Sequence, residues 1–314
     1  MSECLLCIDA GQTGVRGELF TLNPDGQIAD LVAELDAPGL QSNRPALNQL
    51  SQLVVRAADQ SPADSRLSVV SAGVSGISAD EDVERWLAEL PVEVSRVVVA
   101  HDSITSYLAA LGDRHGAVIA CGTGVVTLAV GPDGLTRVDG WGHLLGDAGS
   151  GFWIGRAGLD LVMRAYDGRA AATTLTEPVR AEFPDLEEMY LLLQRDPARV
   201  SKIASYAKLV SEHAAAGDEG CQRILADAGR ELATSVLAAL ARVGLAEAES
   251  PAIGLVGMVF ESPGLRDAFE TAVREHHGHA QFIRAAKRGL AGARALASLA
   301  TDSTLVDAVL TARR

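Results

Sequence analysis

One order of segments occurs twice along the chain, and that repeat limits the fold more than any other feature. Read from the N-terminus, "CLLCIDA" and "GVRGELFTL" are strand-like, "NPDG" (Asn23 to Gly26) is a turn, and "QIADLVAEL" is a third strand. A helix follows over "ALNQLSQLVVRAAD", with Leu47, Leu50, Val54 and Ala58 at helical spacing. Then come the strand "LSVVSAGVS", a short helix near 80–90, the strand "RVVVA", and a helix from Asp102 with Ile104, Leu108 and Leu111 on one face. The second copy starts at "AVIACGTG" and continues through "VTLAVG", the turn "GPDG" (Gly131 to Gly134) and "LTRVDG". A helical insertion over about 150–245 interrupts it before the strand "AIGLVGMVF", a helix near 264–276, the strand "AQFIRA" and a glycine-led helix from 289. The "PDG" turn holds the same place in both copies, and both first strands run into a Gly/Thr loop. A duplicated α/β unit predicts two similar lobes with a ligand cleft between them.

Length and composition agree with two lobes. The chain has 314 residues, too many for one ordinary core, and 48% are hydrophobic. A formal net charge of −14 repels a phosphate backbone and argues against nucleic acid as a partner. No apolar run approaches a membrane span, and "MSECLLCIDAGQTG" lacks the basic start of a signal peptide, so the expectation is a cytoplasmic protein with no membrane partner. Cys4 and Cys7 are spaced like a redox or metal pair, but their odd separation within a strand puts them on opposite faces. With Cys121 and Cys221 they read as buried core thiols. "HHGH" at 276–279 lacks the helical spacing of a metal site and reads as a surface turn.

Five stretches carry chemistry. "DAGQTG" (Asp9 to Gly14) follows a buried strand, where glycines expose backbone N–H groups to a phosphate. Thr13 adds a hydroxyl, and Asp9 can hold a Mg²⁺-bound water. Gly122-Thr123-Gly124 repeats the device in the second copy, and two such hairpins could hold one polyphosphate. Asp102, after a buried strand and at a helix start, reads either as a capping carboxylate or as a general base. "GLVGMVF" ends a strand at Gly257, where a flat ligand could lie against backbone. "GWGHLLGDAGSGFWIG" (140–155) combines glycines, tryptophan and aspartate before a helix.

In this order, Asp9-x-Gly11-x-Thr13, Asp102, Gly122-Thr123-Gly124, Gly140-Trp141-Gly142-His143-x-x-Gly146-Asp147-x-Gly149-Ser150 and "GLVGMVF" resemble the N-acetylglucosamine kinases. That group belongs with BadF/BadG/BcrA/BcrD-type ATPases in the sugar kinase, actin and chaperone ATPase superfamily. The resemblance covers nearly the whole chain. It implies two duplicated ribonuclease H-like lobes of the actin-like ATPase fold, with a helical insertion in the second. The lobes would span 1–113, completed by a C-terminal helix at 290–314, and 114–289.

The resemblance also implies roles. Asp102 matches the catalytic base and touches the sugar. Gly11, Gln12, Thr13, Gly122, Thr123 and Gly124 match the ATP phosphate loops, with Asp9 toward Mg²⁺. Ser205, Gly257 and Met258 fall where the family binds the nucleoside. Asn43, Val125, Val126, Gly140, Trp141, Gly142 and Asp147 would line the sugar site. The implied reaction is ATP-dependent phosphorylation of an amino sugar, first of all N-acetylglucosamine to its 6-phosphate; glucosamine or another hexosamine is the alternative. A homodimer is the assembly the resemblance suggests. Val125-Val126 stand where relatives often carry serine and asparagine, and Ala148 where glutamate is common, which leaves the choice of sugar open. Two readings of other classes compete: an activator ATPase of an acyl-CoA reductase or dehydratase, and a non-catalytic sugar sensor. The four cysteines give the first no exposed pair for an iron–sulfur cluster, and the intact Asp102 and Gly/Thr loops speak against the second.

Overall fold

The structure is a computed structural model of the chain and describes residues 2–41, 43–78, 81–284 and 289–314. The chain divides into two units, Met1–Arg114 with Ala285–Arg314, and His115–Arg284.

The first unit begins with three antiparallel strands, β1 (Ser2–Ala10), β2 (Val15–Leu22) and β3 (Ile28–Ala37). Helix α1 (Ala46–Asp59), β4 (Ser65–Val74), α2 (Val83–Glu89), β5 (Arg96–His101) and α3 (Asp102–Leu111) follow. The second unit repeats the plan with β6 (Gly116–Cys121), β7 (Val125–Gly131) and β8 (Gly134–Asp139). It then inserts five helices: α4 (Gly151–Tyr166), α5 (Thr176–Glu182), α6 (Met189–Arg195), α7 (Arg199–Ala215) and α8 (Glu219–Arg242). It closes with β9 (Ala252–Val256), a 3-10 turn at Met258–Glu261, α9 (Pro263–Arg274) and β10 (Gln281–Arg284). Helix α10 (Gly289–Ala297) and strand β11 (Val309–Arg313) return to the first unit.

The sheets run β11-β5-β4-β1-β2-β3 and β10-β9-β6-β7-β8. Apart from β11 the two orders correspond strand for strand. In each, a hairpin pair precedes parallel strands reached through helices. This is the two-lobed ATPase fold with its helical insertion in the second unit.

Both faces of β1 are covered, so it reads as a continuous apolar run. Cys4, Leu6, Ile8 and Ala10 pack with Leu50, Leu53 and Trp86 from α1 and α2. Leu5 and Cys7 face the other way, onto Phe20 and Ala293 of α10. The two cysteines thus occupy opposite faces, fully buried and free, and burial raises both thiol pKa values, that of Cys7 to about 12. Helix α10 is fixed to its sheet by the Ser71 hydroxyl, which donates to the Ala293 carbonyl at 2.7 Å, and by Arg294 pairing with Glu18 at 2.8 Å. It crosses α3 so closely that a Cβ on Gly292 would lie 1.7 Å from the Thr105 carbonyl oxygen.

In the second unit α4 meets α7 through a glycine stripe. A Cβ on Gly155 would sit 1.9 Å from the Ile203 carbonyl oxygen, and one on Gly158 would sit 2.5 Å from Val210. The spacing of Gly151, Gly155 and Gly158 puts them on one helical face, so the two backbones approach directly.

The expectation of a helix over 290–314 needs correction. The helix stops at Ala297, and Val309–Arg313 pairs antiparallel with β5 instead. The reason lies at the sheet edge. Val97, Val98 and Val99 would otherwise leave a row of backbone groups unpaired, and the β-branched Val309 and Thr311 suit a covering strand.

Candidate functional site

In the first unit, the predicted residues collect at the C-terminal edge of the parallel strands. Asp9 on β1 is in register with Gly73 on β4, and Gly73 with Ala100 on β5, two residues before Asp102. Asp102 opens α3, but it does not cap it. His101 holds the N-cap position, and its Nδ1 accepts from the Ser103 N–H at 3.2 Å. The same nitrogen lies 2.9 Å from Asp102 Oδ1. One ring nitrogen cannot accept and donate at once, so Nδ1 caps the helix when bare and donates to Asp102 when protonated. Burial pulls the Asp102 pKa upward. Bonds from His101, its charge when protonated, the Ser75 hydroxyl and the Ser103 N–H outweigh burial and hold the carboxyl below the usual range. Asp9 behaves oppositely. Burial and then the charge of Asp102 raise its pKa, with Arg16 opposing. The head of α10 closes on Asp9, since a Cβ on Gly289 would lie 2.3 Å from its carboxyl carbon.

The loop after β1 is a tight hairpin in which Gly11 N–H donates to the Gly14 carbonyl at 3.0 Å. Gln12 and Thr13 stand exposed at its tip. Its base is fixed from the side: Leu40 N–H donates to the Gly11 carbonyl, and a Cβ on Gly39 would lie 2.0 Å from the Gln12 carbonyl oxygen. Asn43 is exposed in the next loop, which Gln49 ties down through Gln41, Arg44 and Pro45. Ser42, beside it in the sequence, lies outside the described residues.

In the second unit, Gly122-Thr123-Gly124 forms the matching hairpin, with Gly122 N–H donating to Gly124 at 2.8 Å. Thr123 is exposed. The first amides of α4 lock the loop, Gly151 donating to Gly122 and Phe152 to Thr123. Gly257 lies alongside, at a φ of +109°, and its missing Cβ would fall 1.9 Å from the Cys121 carbonyl oxygen. Met258 follows, largely exposed. Ser205 is exposed on α7, next to Ala204, whose carbonyl faces Gly151. The predicted phosphate and nucleoside residues of this unit therefore share one end of its sheet.

The 140–150 segment is built around two aspartates. Asp139 and Asp147 are the only non-glycine residues with positive φ among the described residues, at 61° and 60°. Asp147 is buried, and its Oδ1 accepts from the Val125 N–H at 3.1 Å. Asp139 Oδ1 accepts from the Asp147 N–H at 3.0 Å. Trp141 is exposed beneath the Arg137 guanidinium, 4.7 Å from the ring centroid, and Gly140 and Gly142 flank it with positive φ.

Val125 needs a correction. Its side chain is 3% exposed and belongs to the core of the second unit, so it cannot line a sugar pocket. Adjacent strand residues face opposite ways. Val126 is the one turned toward Gly140, whose missing Cβ would lie 3.1 Å from Val126 Cγ2. The residues that sequence reasoning missed are His101 as the partner of Asp102, Ser75, and Asp139. Only His101 had a signal, its adjacency to Asp102. In the "HHGH" turn, buried His277 bonds the Ala248 carbonyl at 2.7 Å while His276 and His279 are exposed.

Two sheets of corresponding strand order, each with a Gly/Thr hairpin after its first strand, fit an actin-like ATPase of the sugar-kinase type. A family model for the BadF/BadG/BcrA/BcrD ATPases matches residues 6–297, and the chain belongs to that family. It is 29% identical over 299 residues to the N-acetyl-D-glucosamine kinase of Dictyostelium discoideum, covering 90% of this chain and 93% of that one. It is also 29% identical over 178 residues to an N-acetylmuramic acid/N-acetylglucosamine kinase of Clostridium acetobutylicum, covering 54% and 58%. A solved candidate N-acetylglucosamine kinase from Chromobacterium violaceum superposes with a TM-score of 0.64 at 25% identity, over 93% of this chain and 98% of that one.

Proposed function

We propose that the chain is an ATP-dependent amino-sugar kinase, with N-acetylglucosamine going to its 6-phosphate as the first candidate reaction. The carrying observation is Asp102: a half-buried carboxylate kept ionised by three neighbours at the edge where Asp9 and the first Gly/Thr hairpin also end. The relatives, an N-acetyl-D-glucosamine kinase and an N-acetylmuramic acid/N-acetylglucosamine kinase, support the same reading.

In this reading Asp102 accepts the proton of the sugar hydroxyl. The oxygen then attacks the γ-phosphorus, and the bond to the leaving ADP breaks. Thr13 and Thr123, exposed at their hairpin tips, offer hydroxyls to the phosphates beside backbone N–H groups. Asp9 fits Mg²⁺, because a half-buried carboxylate raised by burial and then by the charge of Asp102 is stabilised by a cation. When bound, Mg²⁺ supplies neutralisation of phosphate charge. Gly257 gives the nucleoside a flat backbone wall, with Met258 next to it in the chain and Ser205 on α7 as a further contact. In the second unit the acceptor sugar would meet Gly140, Trp141, Gly142 and Asp147, with Val126 as an apolar wall; in the first unit the resemblance gives it Asn43.

The test is coupled ADP release with Mg-ATP against N-acetylglucosamine, glucosamine, N-acetylmannosamine, N-acetylmuramic acid, glucose and no sugar, with Asp102→Asn alongside. Sugar-dependent turnover that the variant loses by a factor of about 10² to 10⁴ is expected. ADP release equal with and without every sugar would reject the reading.

A further inference from the structure

We propose that Asp139 is a positioning residue that sets the conformation of the acceptor loop. The inference rests on the reading of 140–147 as the sugar-binding segment.

Asp139 ends β8 in the left-handed region, which Asp and Asn enter more readily than other side chains when their own polar group bonds the nearby backbone. Here its own carboxylate does so. Oδ1 accepts from the Asp147 N–H at 3.0 Å and from the Trp141 N–H at 3.4 Å, bridging both ends of the loop. Gly146 makes room for it, since a Cβ there would fall 2.2 Å from Asp139 Oδ1. The loop closes upon itself between these points, with Gly146 N–H donating to the Gly142 carbonyl at 2.8 Å.

The bridge passes directly to the second aspartate. The amide that Asp139 holds belongs to Asp147, whose carboxylate in turn holds the Val125 amide next to the Gly122-Thr123-Gly124 hairpin. A Cβ on Gly124 would lie 2.7 Å from Asp147 Oδ2, so the hairpin and the acceptor loop interlock. Asp139 therefore fixes where Asp147 and Trp141 stand without itself needing to touch the sugar. Glycine at this position would keep the backbone geometry and lose the bridge. Asparagine would keep both, because its amide oxygen accepts the same bonds and it tolerates positive φ.

The experiment uses the full chain with Asp139→Gly and Asp139→Asn. KM for sugar and for ATP, the melting temperature, and hydrogen exchange over 139–150 are all measured. Asp139→Gly should raise the sugar KM roughly ten- to a hundredfold, the range of one bond to a charged acceptor. Its ATP KM should rise less than its sugar KM, because Asp147 also keeps its own contacts to the Val125 amide and Gly124, and exchange over 140–147 should quicken. Asp139→Asn should stay near the parent in every readout. An unchanged sugar KM in Asp139→Gly overturns the proposal, as does an equal rise of both KM values together with a large fall in melting temperature. If the parent turns over no sugar, the kinase reading fails and the acceptor role falls with it. Exchange then still reports separately whether the bridge orders the loop.

Discussion

Replacing Gly257 by alanine tests the packing of the nucleotide end of the second unit. Two penalties add at this position. The backbone sits at φ 109° and ψ 162°, a region essentially reserved for glycine, and an L-residue there costs about 1–3 kcal/mol. The new Cβ would also fall 1.9 Å from the Cys121 carbonyl oxygen and 2.7 Å from its carbon. Those are backbone atoms of a central strand, so no side chain can swing away. Forcing β6 and the 257 segment apart carries an overpacking cost of about 1–3 kcal/mol. The sum is roughly 2–6 kcal/mol. For a unit of about 170 residues, each kcal/mol moves the melting temperature by about 2–4 °C. A fall of roughly 5–20 °C is expected by circular dichroism or scanning fluorimetry. Gly264→Ala is the matched control. Its Cβ would meet only Leu225 Cδ1 at an ordinary 3.6 Å, at an exposed position of α9, so it should melt at or slightly above the parent. A Gly257→Ala protein melting within 2 °C of the parent would refute the reasoning from contact and φ.

Two further outcomes follow from the charged groups. Asp102 is held below the usual carboxylate range, so it stays ionised as pH falls, and the acid limb of kcat/KM should lie below the pH at which an ordinary aspartate titrates. His101→Ala removes the largest opposing contribution and leaves burial to push the pKa up, so the limb should move to higher pH; an unmoved pH–rate profile would exclude His101 as the partner. Asp218 caps α8 through the Cys221 N–H at 3.0 Å and also accepts from the Thr173 hydroxyl and Thr174 N–H at 2.8 Å each. Burial raises its pKa, but these bonds outweigh that and depress it strongly, so its stabilisation is full above the unfolded carboxylate pKa and is lost as pH falls. Asp218→Ala should cost about 1–2 kcal/mol near neutral pH, less in acid, by urea denaturation at several pH values.

Much of the fold was legible because its signals are local. The "PDG" turns, the continuous apolar run of "CLLCIDA" and the helical spacing of Leu47, Leu50 and Val54 all act within a few residues. The opposed burial of Cys4 and Cys7 followed from strand period alone. The site was legible in parts for the same reason: glycine-rich hairpins and a strand-end aspartate announce themselves in short windows. The C-terminal strand did not. "VLTAR" becomes β11 only because β5 presents an open edge more than 200 residues earlier in the chain.

What the sequence by itself determined was which backbone could turn, which segments could pair, and which residue types stood at strand ends. Tertiary structure decided the rest by bringing distant groups within bonding distance. It sent Val125 into the core and Val126 toward Gly140. It depressed Asp102 and raised Asp9, two carboxylates of equal intrinsic acidity, through different neighbours. It bridged Asp139, Asp147 and Val125 through backbone amides. Hydrogen bonds and Coulomb interactions depend on separations of a few ångströms in space, and residue numbers do not report those separations until the chain has folded.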